Sequence, residues 1–282
     1  RSGYRKEYLV ESGLSIERDN GDLADRFFER VMFPIYSLSG RVIAFGGRTL
    51  KNDKTVAKYV NSPETEIYNK SRSLYGMFQA KSAIAKSDKC ILVEGYADVI
   101  SMHQSGIENV VASSGTSLTV EQIRLIKRFT SNVTIIYDGD EAGIKASLRG
   151  IDLVLEEGLN VKVVLLPPED DPDSFAKSHS RQEILEYIEE NEKDFISYKS
   201  DILSARTVND PLSRSQMIND IIQSISVIPD QTVSGVFQQF QMTSWEDSAS
   251  PRPACNVNVS VDNSGGLFSR RILSMGETHL AP

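Results

Sequence analysis

Lys89-Cys90-Ile91-Leu92-Val93-Glu94-Gly95-Tyr96-Ala97-Asp98 opens the stretch that decides the fold. Its apolar run, Cys90 to Val93, ends on a carboxylate. A second run, Val133-Thr134-Ile135-Ile136-Tyr137, ends on Asp138-Gly139-Asp140. A third, Val161-Lys162-Val163-Val164-Leu165-Leu166, leads into Glu169-Asp170-Asp171-Pro172-Asp173. Short, β-branched, nearly continuous apolar runs read as strands buried on both faces of a parallel sheet. Each run ends in acids at its C-terminal edge, where open α/β sheets place their ligands. Carboxylates crowded at one edge repel each other. A divalent cation relieves that repulsion, and Mg²⁺ takes carboxylate oxygens, water and substrate phosphates.

Between the runs, the pattern alternates. Tyr96 to Gln104 reads as a helix opened by Gly95, and Asn109 to Ala112 as a short strand. Ser113 to Ser117 is a small-residue turn, and Thr119 caps a helix over Val120 to Phe129. Glu141 to Glu157 is a long helix stopped by Gly158. Strands alternating with helices predict a parallel, right-handed α/β sheet.

Upstream, Tyr4 to Ser12 has the pattern of a helix stopped by Gly13. Met32 to Tyr36 and Arg41 to Phe45 flank Ser37-Leu38-Ser39-Gly40, a hairpin signal. Gly46-Gly47-Arg48 follows at once. Two glycines admit a ligand close to the backbone, and an Arg there forks onto phosphate. Taken alone, a glycine bulge beside a surface Arg is the simpler reading. Residues 51–76 are rich in Lys, Asn, Ser and Tyr, a composition suited to single-stranded nucleic acid or nucleotide phosphates. A solvated loop explains it equally well. Met77 to Lys86 is helical.

Downstream, 176–235 carries helical spacing, as in Glu183 to Ile188, and predicts a small bundle packed on the sheet. From Val236 the periodicity stops, and 236–282 reads as a linker or disordered tail. The expected organisation is therefore a basic α+β subdomain over 1–87, a parallel-sheet domain over 88–175, a helical subdomain over 176–235 and the tail.

The net charge of −8 hides an asymmetry. Fifteen Lys and Arg against ten Asp and Glu leave residues 1–87 at +5, whereas seven against fifteen leave 88–175 at −8. A basic segment beside an acidic one suits a polyanion that lies on the first and is processed with metal at the second. An uneven solvated surface is the plainer account of charge alone. Two cysteines, Cys90 and Cys255, make neither a disulfide framework nor a zinc site and fit a reducing compartment. No signal peptide or membrane-length apolar run is recognisable. The chain opens on Arg1 and reads as a fragment of something longer.

Three groups of acids are candidates for chemistry. Glu94 heads a strand-to-helix turn, as a general acid/base or metal ligand does; a lone Glu there is more often a helix N-terminal charge. Asp138 and Asp140 are two apart across Gly139, so a tight turn brings both to one metal; an Asp-Gly turn plus a helix cap is the alternative. Asp171 and Asp173 repeat that spacing across Pro172. Three acidic strand ends in one alternating unit are hard to read as caps.

At these residues the chain resembles a known family. Val93-Glu94-Gly95-Tyr96-Ala97-Asp98-Val99, Tyr137-Asp138-Gly139-Asp140-Glu141-Ala142-Gly143 and Asp171-Pro172-Asp173 resemble the Toprim domain of bacterial primases, topoisomerases and some nucleases. Arg30 to Ile35, Phe45-Gly46-Gly47-Arg48, Lys58 to Thr65 and Leu74-Tyr75-Gly76 resemble the segment that precedes Toprim in bacterial replicative DNA primases. The resemblance covers roughly residues 1–230. It implies a Toprim-type parallel sheet flanked by helices, and template-directed synthesis of short RNA primers from NTPs on single-stranded DNA. It implies an acidic metal centre for Mg²⁺ or Mn²⁺ at Glu94, Asp138 and Asp140, with Asp171 and Asp173 as further ligands. Gly95, Asp98 and Gly139 fall on supporting positions of the motifs. Arg48, Lys58, Asn61, Lys70 and Arg72 fall on positions lining a template and NTP groove. That groove is expected between the subdomains, with Gly46-Gly47-Arg48 and Lys58 facing Glu94 and Asp138. The family's zinc-binding module and helicase-binding region are not recognisable, so the expectation is a catalytic core whose full-length relatives meet a replicative helicase in the cytoplasm.

Two rivals come from other classes. A Toprim nuclease or topoisomerase shares the acids, but its resemblance does not extend to residues 30–76. A non-catalytic nucleic-acid-binding module leaves the carboxylate cluster unexplained.

Overall fold

The computed structural model describes residues 3–51, 55–113, 115, 117–137, 141–206, 221, 222, 224 and 228; for 141–147 and 203–206 it describes the backbone only. Residues 236–282, expected as a tail, lie outside the described residues. Helix α1 (Lys6–Glu11) is followed by the ribbon β1 (Ser15–Glu17) and β2 (Leu23–Asp25). Then β3 (Arg30–Tyr36), β4 (Val42–Thr49) and β5 (Tyr59–Asn61) form an antiparallel sheet in that order.

The expected hairpin is present, but β4 runs on through Gly46, Gly47 and Arg48 to Thr49. These glycines are therefore strand residues, and the register shift lies at Ile35/Tyr36 instead. The stretch 51–76, for which a solvated loop was the alternative, contains β5, paired with β4 at Gly46↔Asn61, Gly47↔Val60 and Arg48↔Tyr59. A three-residue edge strand with mixed polarity has too short a period to announce itself.

Helix α2 (Met77–Ser87) leads to the alternating unit: β6 (Cys90–Val93), α3 (Tyr96–Gln104), β7 (Val110–Ala112), α4 (Val120–Lys127), β8 (Asn132–Tyr137), α5 (Glu141–Glu156) and β9 (Asn160–Leu165). Helices α6 (Pro172–Ser178) and α7 (Arg181–Asn191) follow, then β10 (Lys193–Asp194) and α8 (Phe195–Arg206). The five-stranded sheet has the order β10-β9-β8-β6-β7; β6 to β9 are parallel and β10 is antiparallel to β9. The two-residue β10 sits in a stretch whose spacing predicts only helix.

Side chains alternate across this sheet into two cores. Cys90, Leu92, Val133, Ile135 and Val163 meet Ile84 of α2, Ile123 and Ile126 of α4, Ile151 and Val154 of α5, and Phe195 of α8. Ile91, Val93, Ile136 and Val164 meet Val99 and Met102 of α3, Phe175 of α6, and Ile184 and Ile188 of α7. Helices cover both faces, which is why the strands read as continuous apolar runs. Truncating a residue such as Ile135, 1% exposed, to Ala costs about 2–5 kcal/mol in a core of this kind.

Local signals set the helix starts. Thr119 accepts the Gln122 N–H while the Gln122 side chain accepts the Thr119 N–H, a reciprocal capping box. Gly76 precedes α2 at φ +81°, and a Cβ there would lie 2.8 Å from Val99 and 3.1 Å from the Val110 carbonyl. Tyr75 beside it bridges Ala112, so the chain enters α2 pressed against the edge of the parallel sheet. Among the described residues no helix is long and apolar enough to cross a membrane.

Candidate active site

The parallel sheet has a switch point. From β6 the chain goes to β7 on one side and then returns to β8 on the other. Crossovers that diverge this way leave a crevice at the strands' carboxyl ends, between β6 and β8. Glu94 follows β6 directly and is exposed; β8 ends on Tyr137, the residue before Asp138. Asp138, Gly139 and Asp140 themselves lie outside the described residues. Burial pushes the Tyr137 hydroxyl far above the ordinary tyrosine pKa, and the Glu94 charge adds to that push. The Glu94 carboxylate is thus electrostatically close to the end of β8.

The turn carrying Glu94 is held from within α3. Asp98 accepts the Gly95 N–H at 2.7 Å through Oδ2. Gly95 is extended, at φ −116°, and a Cβ on it would lie 3.0 Å from that same oxygen. Asp98 and Gly95 thereby shape the turn that carries Glu94.

Asp171 and Asp173 have partners of their own. Asp171 is the N-cap of α6, where Oδ1 accepts the Ser174 N–H at 2.7 Å. Asp173 accepts from Ser101 of α3 and, at 2.6 Å, from Lys177 one turn along α6. Partial burial opposes ionisation of Asp173, but the Lys177 and Ser101 hydrogen bonds and the Lys177 and Arg48 charges outweigh it. Its carboxyl is held below the usual range. The helix-cap reading, hard to sustain for the acids as a group, holds for Asp171 as a matter of geometry.

The basic wall is one face of the antiparallel sheet. Strand period two puts Gly46 and Arg48 on one side of β4, with Tyr59 and Asn61 on that side of β5. The Arg48 guanidinium lies 5.8 Å over the Tyr59 ring. Burial raises the Tyr59 pKa; Arg48 opposes that, and Asp98, Asp173 and Asp171 reinforce it. One tyrosine therefore registers the charge of Arg48 and of three acids, so strands β4 and β5 meet the acidic edge here.

The join is made by Tyr96, the first residue of α3. Its ring, 2% exposed, stacks on Phe33 at 5.2 Å, meets Tyr75 edge-on at 4.7 Å and lies 6.0 Å from Tyr59. Its hydroxyl donates to Asn61 Oδ1 at 2.9 Å. A Cβ on Gly46 would lie 2.6 Å from the Tyr96 ring, and one on Gly47 would lie 2.6 Å from Phe27. The close approach that these glycines permit is between parts of the protein, not toward a ligand.

The remaining basic candidates are placed differently. Lys58 is exposed, and its carbonyl accepts from Arg30 and the Thr49 N–H. Lys70 and Arg72 bound a 3-10 turn docked on the start of α4: buried Gln122 donates to the carbonyls of Lys70 and Ser73, and Thr119 donates to that of Ser71. Among the described residues none of these three forms an ion pair with a candidate acid, and no group of three His, Cys, Asp or Glu side chains is placed to hold a metal. Tyr59, Tyr96 and Ser101 are not candidates by residue type. Tyr96 stands beside Glu94 in the motif, but nothing local indicates that its ring reaches another subdomain.

The chain matches the family described as DNA primase catalytic core, N-terminal domain over residues 1–81, and the Toprim-like family over residues 91–176. It is 41% identical over 230 residues to a DNA primase of Clostridium acetobutylicum, covering 81% of this chain and 37% of that relative. Among solved structures, it is similar to a DNA primase domain from Pseudomonas aeruginosa, with a TM-score of 0.75 at 33% identity over 84% of this chain and 75% of that one. It is also similar to a DnaG primase catalytic domain bound to single-stranded DNA, with a TM-score of 0.75 at 35% identity over 86% and 80%. An acidic sheet edge facing a basic sheet, in a chain that these primase domains match along most of its length, has one family to join: the chain belongs to the DnaG-type DNA primase catalytic cores.

Proposed function

We propose that this chain is the nucleotidyltransferase core of a primase, making short RNA primers from NTPs on single-stranded DNA with Mg²⁺ or Mn²⁺. The carrying observation is the meeting of Arg48 and Asn61 on one sheet with the carboxylate edge of another, at a switch-point crevice. The DNA-bound primase domain that the chain resembles supports a single-stranded template.

The donor set fits a hard divalent cation: Glu94 with Asp138 and Asp140 offers carboxylate oxygens and no sulfur or imidazole. A cation held there would neutralise charge on the attacking 3′-oxygen and on the leaving phosphate. Glu94, at the head of α3, serves as a ligand or as the base that takes the 3′-hydroxyl proton. Asp98 keeps its turn in shape through Gly95. Asp171 and Asp173 are further members of the acidic wall, oriented by Ser174, Ser101 and Lys177. Arg48 and Asn61 bind phosphate oxygens, and Lys58, Lys70 and Arg72 guide the template. In the longer relatives a replicative helicase would bring this core to the fork.

The test is incorporation of labelled NTPs on a single-stranded oligonucleotide with Mg²⁺ or Mn²⁺. Metal-dependent RNA products are expected. Nicking of the DNA without incorporation would replace this reading with that of a Toprim nuclease.

A further inference from the structure

We infer that Lys177 is the resident counter-ion of the acidic wall, an ammonium on Asp173 with which a divalent cation must exchange to reach that carboxylate; this rests on the metal-dependent reading above. Asp173 has a separate partner on each oxygen. Oδ1 accepts from the Ser101 hydroxyl of α3, and Oδ2 accepts from Lys177 Nζ at 2.6 Å, one turn along α6. Among the described residues, the neighbouring acids Glu169, Asp170 and Asp171 form no ion pair with one another's counter-charges or with any Lys or Arg.

The two partners of Asp173 differ in how firmly they are held. Ser101 is 8% exposed and lies on α3, which packs along α6. One turn further on, Ser105 donates to the Ala176 carbonyl at 2.8 Å and ties the same two helices. Oδ1 is therefore fixed from the protein side. The Lys177 side chain is 65% exposed and hangs from a flexible four-carbon stem. An exposed pair one helical turn apart adds little to stability, so opening it costs little. Lys177 can leave Oδ2 while Ser101 keeps the carboxylate in place.

The wall gains from such a charge. Carboxylates gathered at one edge repel, and an ammonium beside one of them offsets part of that repulsion. A hard divalent ion takes the same oxygen with twice the charge. The Arg48 charge also reaches Asp173 from the facing sheet, but Lys177 is the cation in hydrogen-bond contact.

The experiment compares wild type, Lys177→Met, Lys177→Arg, Asp173→Asn and the Lys177→Met/Asp173→Asn double variant. Methionine keeps an unbranched stem and removes the charge. Mn²⁺ affinity is read by isothermal titration, and thermal melting is followed in chelator and in a fixed excess of Mn²⁺. Lys177→Met is expected to bind Mn²⁺ about 3- to 10-fold more tightly, as removal of a unit charge beside a divalent site does, with a smaller gain at high salt. Lys177→Arg should stay near wild type. In chelator, Lys177→Met should melt at or slightly below the wild-type temperature, whereas Mn²⁺ should raise its melting more than it raises that of wild type. In the Asp173→Asn background most of the gain in affinity should disappear.

Unchanged or weaker Mn²⁺ binding by Lys177→Met would overturn the inference, since the lysine would then only support α6. So would a gain that persists in full without the Asp173 carboxylate, because Lys177 would then act on the centre by charge at a distance. Absence of Mn²⁺ binding from wild type and every variant would overturn it as well. Mn²⁺ binding without RNA synthesis would sink the polymerase reading alone, and the titrations would still decide the exchange.

Discussion

Gly46 and Tyr96 occupy one volume: a methyl group on the glycine would stand 2.6 Å from the tyrosine ring. The antiparallel sheet and helix α3 are seated on each other through that missing side chain. Gly46→Ala must push a ring that is 2% exposed and packed by three other aromatics. Overpacking of this kind costs about 1–3 kcal/mol. Thermal melting should fall by several degrees, and oligonucleotide affinity should fall with it. A Gly46→Ala protein that melts and binds as wild type would show that the packing is loose.

Asp138→Asn should abolish divalent-cation binding and primer synthesis while the fold survives. Removing one of several like charges relieves repulsion, so stability in the absence of metal should hold or rise. Isothermal titration with Mn²⁺ and a melting curve in chelator check both halves. Retained Mn²⁺ affinity would remove Asp138 from the metal set. For Asp140→Asn the expectation concerns substrate: NTP affinity should lose its dependence on metal.

Arg48→Ala should weaken oligonucleotide binding and flatten its salt dependence, by about 0.7 in log–log slope for each single-strand phosphate that is no longer neutralised. Lys58→Ala should do the same if its exposed side chain reaches the template. Arg48 carries a second expectation, because its charge also helps hold Asp173 ionised. Equal slopes in mutant and wild type would mean that this face is only solvated surface.

Glu192 lies far from this chemistry in role and offers a control. It accepts from Lys89 at 2.8 Å and from Lys162, joining the starts of β6 and β9. Burial opposes its ionisation, but the two lysines outweigh it and hold the carboxyl below the usual range. Its folded pKa is depressed, so its contribution is present above the unfolded value of about 4.3 and is lost as pH falls through the lower folded value. Glu192→Gln should cost about 1 kcal/mol near neutrality, a discounted figure because both lysines are partly exposed. It should also flatten the acid limb of the stability curve. Equal stability of mutant and wild type from pH 7 down to the acid limb would refute the network's role. Primer synthesis should be unaffected.

The parallel sheet was legible because its signals are local. Runs such as Cys90 to Val93 and Val133 to Tyr137 are nearly continuously apolar because helices cover both of their faces, and a capping box such as Thr119 with Gln122 lies within four residues of chain. Glu94 was singled out for the same reason, because it stands directly after such a run. Tertiary structure alone decided what the polar wall is made of. Strand β5 exists through its pairing with β4, and Gly46 and Tyr96 are neighbours only because two sheets dock. The Asp173 carboxyl is held below the usual range against its partial burial by Lys177, one turn on, and by Ser101, 72 residues away along the chain. Periodicity and caps record the interactions of a residue with its own segment. The orientation of an amide or a carboxylate in the crevice depends on side chains brought together by chain reversal, and no pattern within one segment encodes them.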